Sequence, residues 1–390
     1  MTAITAPLRD DMRSWRHDFH RHPELGFEEH RTAKQVADLL QQWDIDVHTE
    51  VGGTGVVGVL TRGRSERTVG LRADMDALAI SEQNTFDHRS CHDGKMHACG
   101  HDGHTAMLLG AACHLATSGN FDGTVYFIFQ PAEEHGRGAL AMLDDGLFER
   151  FPAQSVYAMH NFPPIPLGRF AIRAGPVMAC EDNFEITLKG VGSHAAMPHM
   201  GVDPLVCGAE IVIALQTVVA RTMNPSENAV VSVTEFITDG TRNVLPEEVT
   251  LRGDTRSFLP EIQDHIESKM RRIVEGVCAA HGIKGEFHYS HEFASTINTE
   301  HEAQIAYEVA QKMIGAANID INYPPAMASE DFSFMLQRKP GCYILIGNGG
   351  DGPGGCGLHN PGFDFNDDNL TIGADYWVRL VESQLTNENL

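Results

Sequence analysis

A chain of 390 residues is longer than one hydrophobic core usually organises, so two domains are expected. Apolar residues make up 42% and charged residues 21%, ordinary for a soluble globular protein. The formal charge of −24, from 29 Lys and Arg against 53 Asp and Glu, argues against nucleic acid or an anionic membrane as partner, since both need cationic surface. Met1–Trp15 carries Arg9, Asp10, Asp11 and Arg13 and lacks the apolar stretch of a signal peptide. No uninterrupted apolar run nears the ~20 residues of a membrane span. The eight cysteines form no C-x-x-C pair, and a reducing cytoplasm is the expected location.

Residues 28–43 place Ala33, Val36, Leu39, Leu40 and Trp43 on one helical face. Apolar, strand-like runs follow at 55–60, 68–73, 123–129 and 155–159, and 104–116 has the composition of a buried helix. Strands alternating with helices predict an α/β domain, a mixed sheet flanked by helices.

The pattern changes at 182. Strand 183–189 alternates with period two, and Asp203 with Pro204 opens a helix running to about Thr222. Strands 229–236 and 247–256 are joined through Asp239 and Gly240. A helix from Pro260 lines up Ile262, Ile266, Met270, Ile273 and Val277 and ends at Gly282; strand 284–291 closes the set. The order βαββαβ predicts an inserted two-layer domain over 182–294, leaving 1–181 and 295–390 as one discontinuous domain.

Two stretches match G-x-G-x-x-G, at 53–58 and 350–355. The first runs into a strand and the second contains Pro353, so neither opens a helix N-terminus able to cradle a phosphate. Five side chains carry the ligand vocabulary of zinc and its neighbours. They are Cys99 and His101 in the run His97–His104, Glu134 after Gln130-Pro131-Ala132-Glu133, His160 at the end of a strand, and His359 in Gly357–Pro361. Taken singly, each has a bland reading: a buried thiol, a surface imidazole, a solvated carboxylate. Glu133 matters differently, because it stands beside a ligand candidate, close enough to act on a bound water without holding the metal.

Taken together, these segments resemble the M20 metallopeptidase family, in the amidohydrolase branch of hippurate hydrolases, N-acyl-amino-acid deacetylases and indole-acetyl-amino-acid hydrolases. The matching stretches are Arg72–Leu78, Met96–His104, Phe129–Glu134, Gly192–His199 and Ser329–Phe332. The resemblance implies a catalytic α/β domain interrupted by a lid and dimerisation domain. It also implies two divalent metal ions, zinc or manganese with cobalt or nickel as options, held by Cys99, His101, Glu134, His160 and His359, with Cys99 bridging. Glu133 takes the general-base position. Where the wider family has His-x-Asp, this chain has Asp74-Met75-Asp76, so Asp74 is left outside the ligand set and Asp76 supports it from behind. His194 resembles the histidine that reaches a partner subunit's centre as an oxyanion donor, which implies a homodimer or a higher oligomer. Asn243, Arg256 and His199 fall where the family contacts substrate, and Glu330 and Asp331 read as plain carboxylates at a helix N-terminus.

The activity implied is hydrolysis of the amide bond of small N-acyl amino acids, with metal-dependent exo- or dipeptidase action as the alternative. The chemistry follows from the donors. Divalent cations activate a water and polarise a carbonyl, and Glu133 moves the proton from that water to the leaving nitrogen.

Overall fold

A computed structural model describes residues 4–350 and 355–386; most of the second glycine pattern, at 351–354, lies outside them. The chain divides into two compact units, Met1–Val177 with Ile297–Pro324 and Asp331–Leu390, and Met178–Thr296 with Pro325–Glu330.

The larger unit is built on an eight-stranded mixed sheet. Its order is Asp46–Val51, Gly55–Arg62, Gly123–Gln130, Thr68–Asp74, Ser155–Phe162, Gly341–Gly347, Phe170–Ala171 and Ile319–Asp320. The four strands from Gly123–Gln130 to Gly341–Gly347 run parallel, and the strands from Asp46–Val51 to Gly123–Gln130 are antiparallel. All seven residues of Gly341–Gly347 are buried, as expected of a parallel strand covered on both faces. The helix foreseen over 104–116 spans His101–Ser118 and is buried on nearly every side, so it carries no polar stripe. Helices Ala6–Arg21, Glu300–Ile314 and Asp368–Gln384, which the sequence pattern left unassigned, complete the layers. The glycine stretch at 53–58 leads into strand Gly55–Arg62, so no helix N-terminus forms there.

The second unit has a four-stranded antiparallel sheet ordered Ala229–Thr238, Glu248–Ser257, Cys180–Lys189, Lys284–Phe293. Helices Pro204–Thr222 and Pro260–His281 pack together, their apolar stripes closing a core of Phe184, Ile186, Leu188, Ile211, Leu215, Leu251, Ile266 and Met270. The Asp203 carboxylate caps the first helix, accepting the Leu205 N–H at 2.8 Å. Gly282, at φ 66°, ends the second in the left-handed region. Segment Pro325–Glu330 belongs here because Ala179 N–H is shared between the carbonyls of Ala326 and Ala328. Pro204–Thr222 is long and apolar enough, by length and composition, to cross a membrane. Its buried stripe of Cys207, Ile211, Leu215 and Val218 is nevertheless that of a core helix.

Candidate metal centre

Neighbouring parallel strands end along one rim of the large sheet, where open α/β sheets place their sites. Asp74 ends one strand, Glu133 and Glu134 follow the next, and His160 lies near the end of a third. Helix His101–Ser118 starts at the same rim. Gly100, before it, sits at φ 100°, and a Cβ there would lie 2.1 Å from Asn161 Oδ1. Only glycine fits between Cys99 and His101, so this glycine brings the thiol and the imidazole round one tight corner. His359 comes from a distant loop; its N–H donates to Ala98 O at 2.8 Å, and its φ of 60° is a strained position for a non-glycine residue.

The structure brings the five expected ligands together in overlapping groups. Donor atoms of Cys99, Glu134 and His359 lie within 4.8 Å of one another, as do those of His101, Glu133 and Glu134. Cys99 Sγ is 3.3 Å from His160 Nε2, and His359 Nε2 is 3.3 Å from Glu134 Oε1. Glu133 Oε2 sits 4.0 Å from His101 Nε2. Asp76 braces two of the five. Its Oδ1 is 3.1 Å from His101 Nδ1, whose other near neighbour is the Asp76 carbonyl at 2.9 Å, and its Oδ2 accepts the Glu134 N–H at 3.0 Å. With Nδ1 so engaged, His101 aims Nε2 inward, and that atom is buried with no hydrogen-bond partner. An imidazole held in this way is the usual geometry of a metal ligand.

Electrostatics supports the same fit. Burial raises the Cys99 thiol well above its ordinary range, and the charges of Glu134, Glu133 and Asp74 add to it. Burial disfavours the charged form of His101, but Asp74 and Asp76 outweigh that and lift it to about 10. So much negative charge beside a thiol calls for compensating cations, and thiolate, imidazole and carboxylate are the donors a pair of divalent cations takes.

Sequence reasoning passed over His104 and set Asp74 aside, yet both reach this cluster, their donor atoms grouping with those of His101 and His160. Asp74 is a brace between neighbours: Oδ2 accepts from Arg72 Nη1 at 2.7 Å and Oδ1 meets His104 Nδ1 at 2.7 Å. The signal available for His104 was its spacing, three residues after His101 on one helical face. Asp331 does stand at the N-terminus of helix Phe332–Leu336 but makes no cap there. Its carboxylate accepts from Arg72 at 3.1 Å, Gln130 at 2.8 Å and the Ala139 N–H at 2.9 Å. Behind the helix start, Arg16 is fully buried against Asp102 at 2.9 Å, and Asp102 also meets His20 at 2.8 Å.

In the second unit, His194 and Asn243 line one cavity of about 470 Å³. They are neighbours because Ser193–His194 pairs with Val244–Leu245 and Ala195 N–H donates to Asn243 O. His194 Nδ1 accepts the Ala196 N–H at 3.1 Å, which leaves Nε2 to carry the ring proton. His199 is exposed in the short turn Pro198–Met200. Arg256 lies at the far end of strand Glu248–Ser257, paired with Glu181 at 2.8 Å and Asp254 at 2.7 Å; its charge is already matched.

Comparison with known proteins gives the family. The chain is 39% identical to a hippurate hydrolase of Campylobacter jejuni over 96% of both chains. It is 35% identical to an N-acetylcysteine deacetylase of Bacillus subtilis over 94% of both. Among solved structures, the Bacillus subtilis YXEP protein, described as a dinuclear metal binding peptidase of the M20 family, superposes with a TM-score of 0.86 at 31% identity, covering 98% of this chain and 99% of that one. Residues 70–383 match the model of peptidase family M20/M25/M40. With the rim of thiol, imidazole and carboxylate donors already in place, the conclusion is that this chain is an enzyme of that family, in its amidohydrolase branch.

Proposed function

We propose that this enzyme hydrolyses the amide bond of small N-acyl amino acids of the hippurate type, releasing a carboxylic acid and a free amino acid. The observation that carries the reading is the convergence of Cys99, His101, Glu134, His160 and His359, with Glu133 beside them. These five residues are the proposed holders of two divalent cations, zinc or manganese by the character of the donors. When bound, the cations would polarise the scissile carbonyl and acidify a water.

Glu133 takes the proton from the attacking water and returns it to the leaving nitrogen as the tetrahedral adduct collapses. Asp76 keeps His101 and the Glu134 backbone in register, and Asp74 with Arg72 anchors that rim from below. The His194 Nε2–H is the proposed oxyanion donor, acting on the centre of a second subunit. Asn243 and His199 offer exposed polar groups to the amino-acid carboxylate. Arg256 joins them only by leaving Glu181 and Asp254.

Dimerisation through the inserted unit is part of this reading. The strand Ala229–Thr238 is an edge of its sheet, and helix Pro204–Thr222 exposes Leu205, Val206 and Ile213, the last at 71%. An unpaired edge beside apolar side chains suits an isologous interface.

The deciding experiment is hydrolysis of N-benzoylglycine and N-acetyl amino acids with and without a chelator, then with each metal restored, beside a dipeptide panel. Metal-dependent release of the acid from the acyl substrates supports the reading. Faster turnover of dipeptides would transfer the enzyme to the peptidase reading, which the YXEP neighbour's description keeps in play. For the dimer, mixing His194→Ala chains with Glu133→Ala chains should restore activity; mixed dimers that stay inert would exclude the cross-subunit role.

A further inference from the structure

Of the eight cysteines, Cys91 is the one that is exposed, and it does not face solvent alone. Its Sγ lies 3.5 Å from His22 Nδ1, and His92 closes the group, the three donor atoms lying within 4.8 Å of one another. Zn–S bonds of about 2.3 Å and Zn–N bonds of about 2.0–2.1 Å in a tetrahedron put sulfur and nitrogen about 3.5 Å apart. The thiol and the first imidazole already stand at that spacing. The His22 and His92 rings are nearly perpendicular, at 79° with centroids 5.9 Å apart, so they do not stack against each other.

The backbone holds this group in place. His22 caps the C-terminus of helix Ala6–Arg21, its N–H donating to Phe19 O. Cys91 N–H donates to Arg21 O at 2.9 Å, which pins the thiol's segment to that helix end. Ser90 fixes the other side: its N–H donates to Glu82 at 2.6 Å, and its hydroxyl accepts the His92 N–H at 3.1 Å. Burial, with the nearby Arg31 charge second, lowers the His22 pKa below its ordinary value, favouring the neutral ring that a cation requires.

We propose that His22, Cys91 and His92 form a surface site for one thiophilic divalent cation, zinc by the chemistry of its donors, sharing no residue with the centre at Cys99. Water completes the coordination. Binding converts the Cys91 thiol to a thiolate and releases its proton to solvent. The ion would tie the end of helix Ala6–Arg21 to the segment 90–95 that leads into Met96–Cys99. The site does not depend on the substrate proposed above.

The test uses the full chain, stripped of metal and then equilibrated with zinc alone. Wild type should retain about one zinc per chain more than Cys91→Ser or His92→Ala, and both variants should keep wild-type turnover. Zinc at about tenfold its Kd should also slow alkylation of Cys91 by iodoacetamide about tenfold in the wild type and leave it unchanged in His92→Ala. Equal zinc content in all three proteins, with alkylation indifferent to zinc, would overturn the proposal.

Discussion

In the larger unit Arg16, Arg72, Asp74, Asp102 and Asp331 are each no more than 1% exposed; Arg16 pairs with Asp102, and Arg72 is shared by Asp74 and Asp331. The inserted unit handles charge differently. Its buried carboxylate Asp182 meets no arginine or lysine among the described residues: Gln263 at 2.6 Å, the half-exposed His291 Nδ1 at 2.7 Å and the hydroxyls of Tyr289 at 2.9 Å and Thr255 at 3.3 Å surround it. Arg252 and its carboxylate partners stay at the surface. Burying ions costs several kcal/mol apiece unless they are well paired, so a fold that does it repeatedly at one rim is holding a shape for chemistry. The inserted unit is built on an apolar core and displays His194, Asn243 and His199 on a short strand pair and turns outside its main sheet, where functional groups can be offered without that cost.

The widest separation should appear in turnover. Glu133→Gln removes the group assigned to proton transfer and should lower kcat by about 10³–10⁴, with metal content by mass unchanged. His194→Ala, in the other unit, should lower kcat by about 10²–10³, leaving metal content untouched as well. If Glu133→Gln retains wild-type kcat, the carboxylate is structural and the mechanism fails. If His194→Ala loses metal, the two units do not contribute separately.

Stability should separate them next. Asp331→Ala removes one of the two carboxylates on Arg72, which keeps Asp74, and takes an acceptor from Gln130 and the Ala139 N–H inside the larger unit. Removing one partner of a buried, hydrogen-bonded charge costs about 3–5 kcal/mol. The check is the urea midpoint at constant m. An unchanged midpoint would mean that water replaces the carboxylate and that this rim is less closed than its exposures indicate.

The sequence made the periodic parts readable. The inserted unit's helices carry caps and single-sided apolar stripes, and its strands alternate, so local chemistry alone marks Asp203–Thr222 and Pro260–Gly282. The candidate ligand segments stand out for a related reason, since glycine or proline punctuates several of them, as Gly100 does between Cys99 and His101 and Gly357 and Pro361 do around His359. His104 and Asp74 were harder, because their meaning lies in a contact across 30 positions. Arg16 and Asp102 are 86 apart, and nothing local about either residue announces a buried pair. Helix His101–Ser118 was legible over 104–116 from its composition, but a helix buried all round has no stripe to mark where it begins and ends.

A buried carboxylate with no charged partner should respond to pH. Glu29 accepts the Ala132 N–H at 2.8 Å and the Thr54 hydroxyl at 2.5 Å, supporting the backbone just before Glu133, where Ala132 sits at φ 49°. Burial pushes its pKa up from 4.5 to about 7. Between those values the folded state holds a proton that the unfolded chain has lost. Its stabilising contribution is therefore complete below pH 4.5 and is lost as pH rises through 7. Glu29→Gln, neutral throughout, should gain on the wild type by about 3 kcal/mol between pH 4.5 and pH 7.5. Parallel stability curves for the two proteins would show that Glu29 titrates normally.

The smallest effect belongs to the inserted unit. Arg252 lies 2.7 Å from Glu185 and 3.3 Å from Glu235, but its side chain is 49% exposed. Water and salt screen the pair, and ordering three flexible side chains offsets most of what attraction remains. Arg252→Ala should leave the urea midpoint within error, at low salt as at high. A clear loss there, comparable with that of Asp331→Ala, would mean that surface charge carries the inserted unit's stability after all. The contrast between the units would then lie in where their ion pairs sit, and no longer in what those pairs contribute.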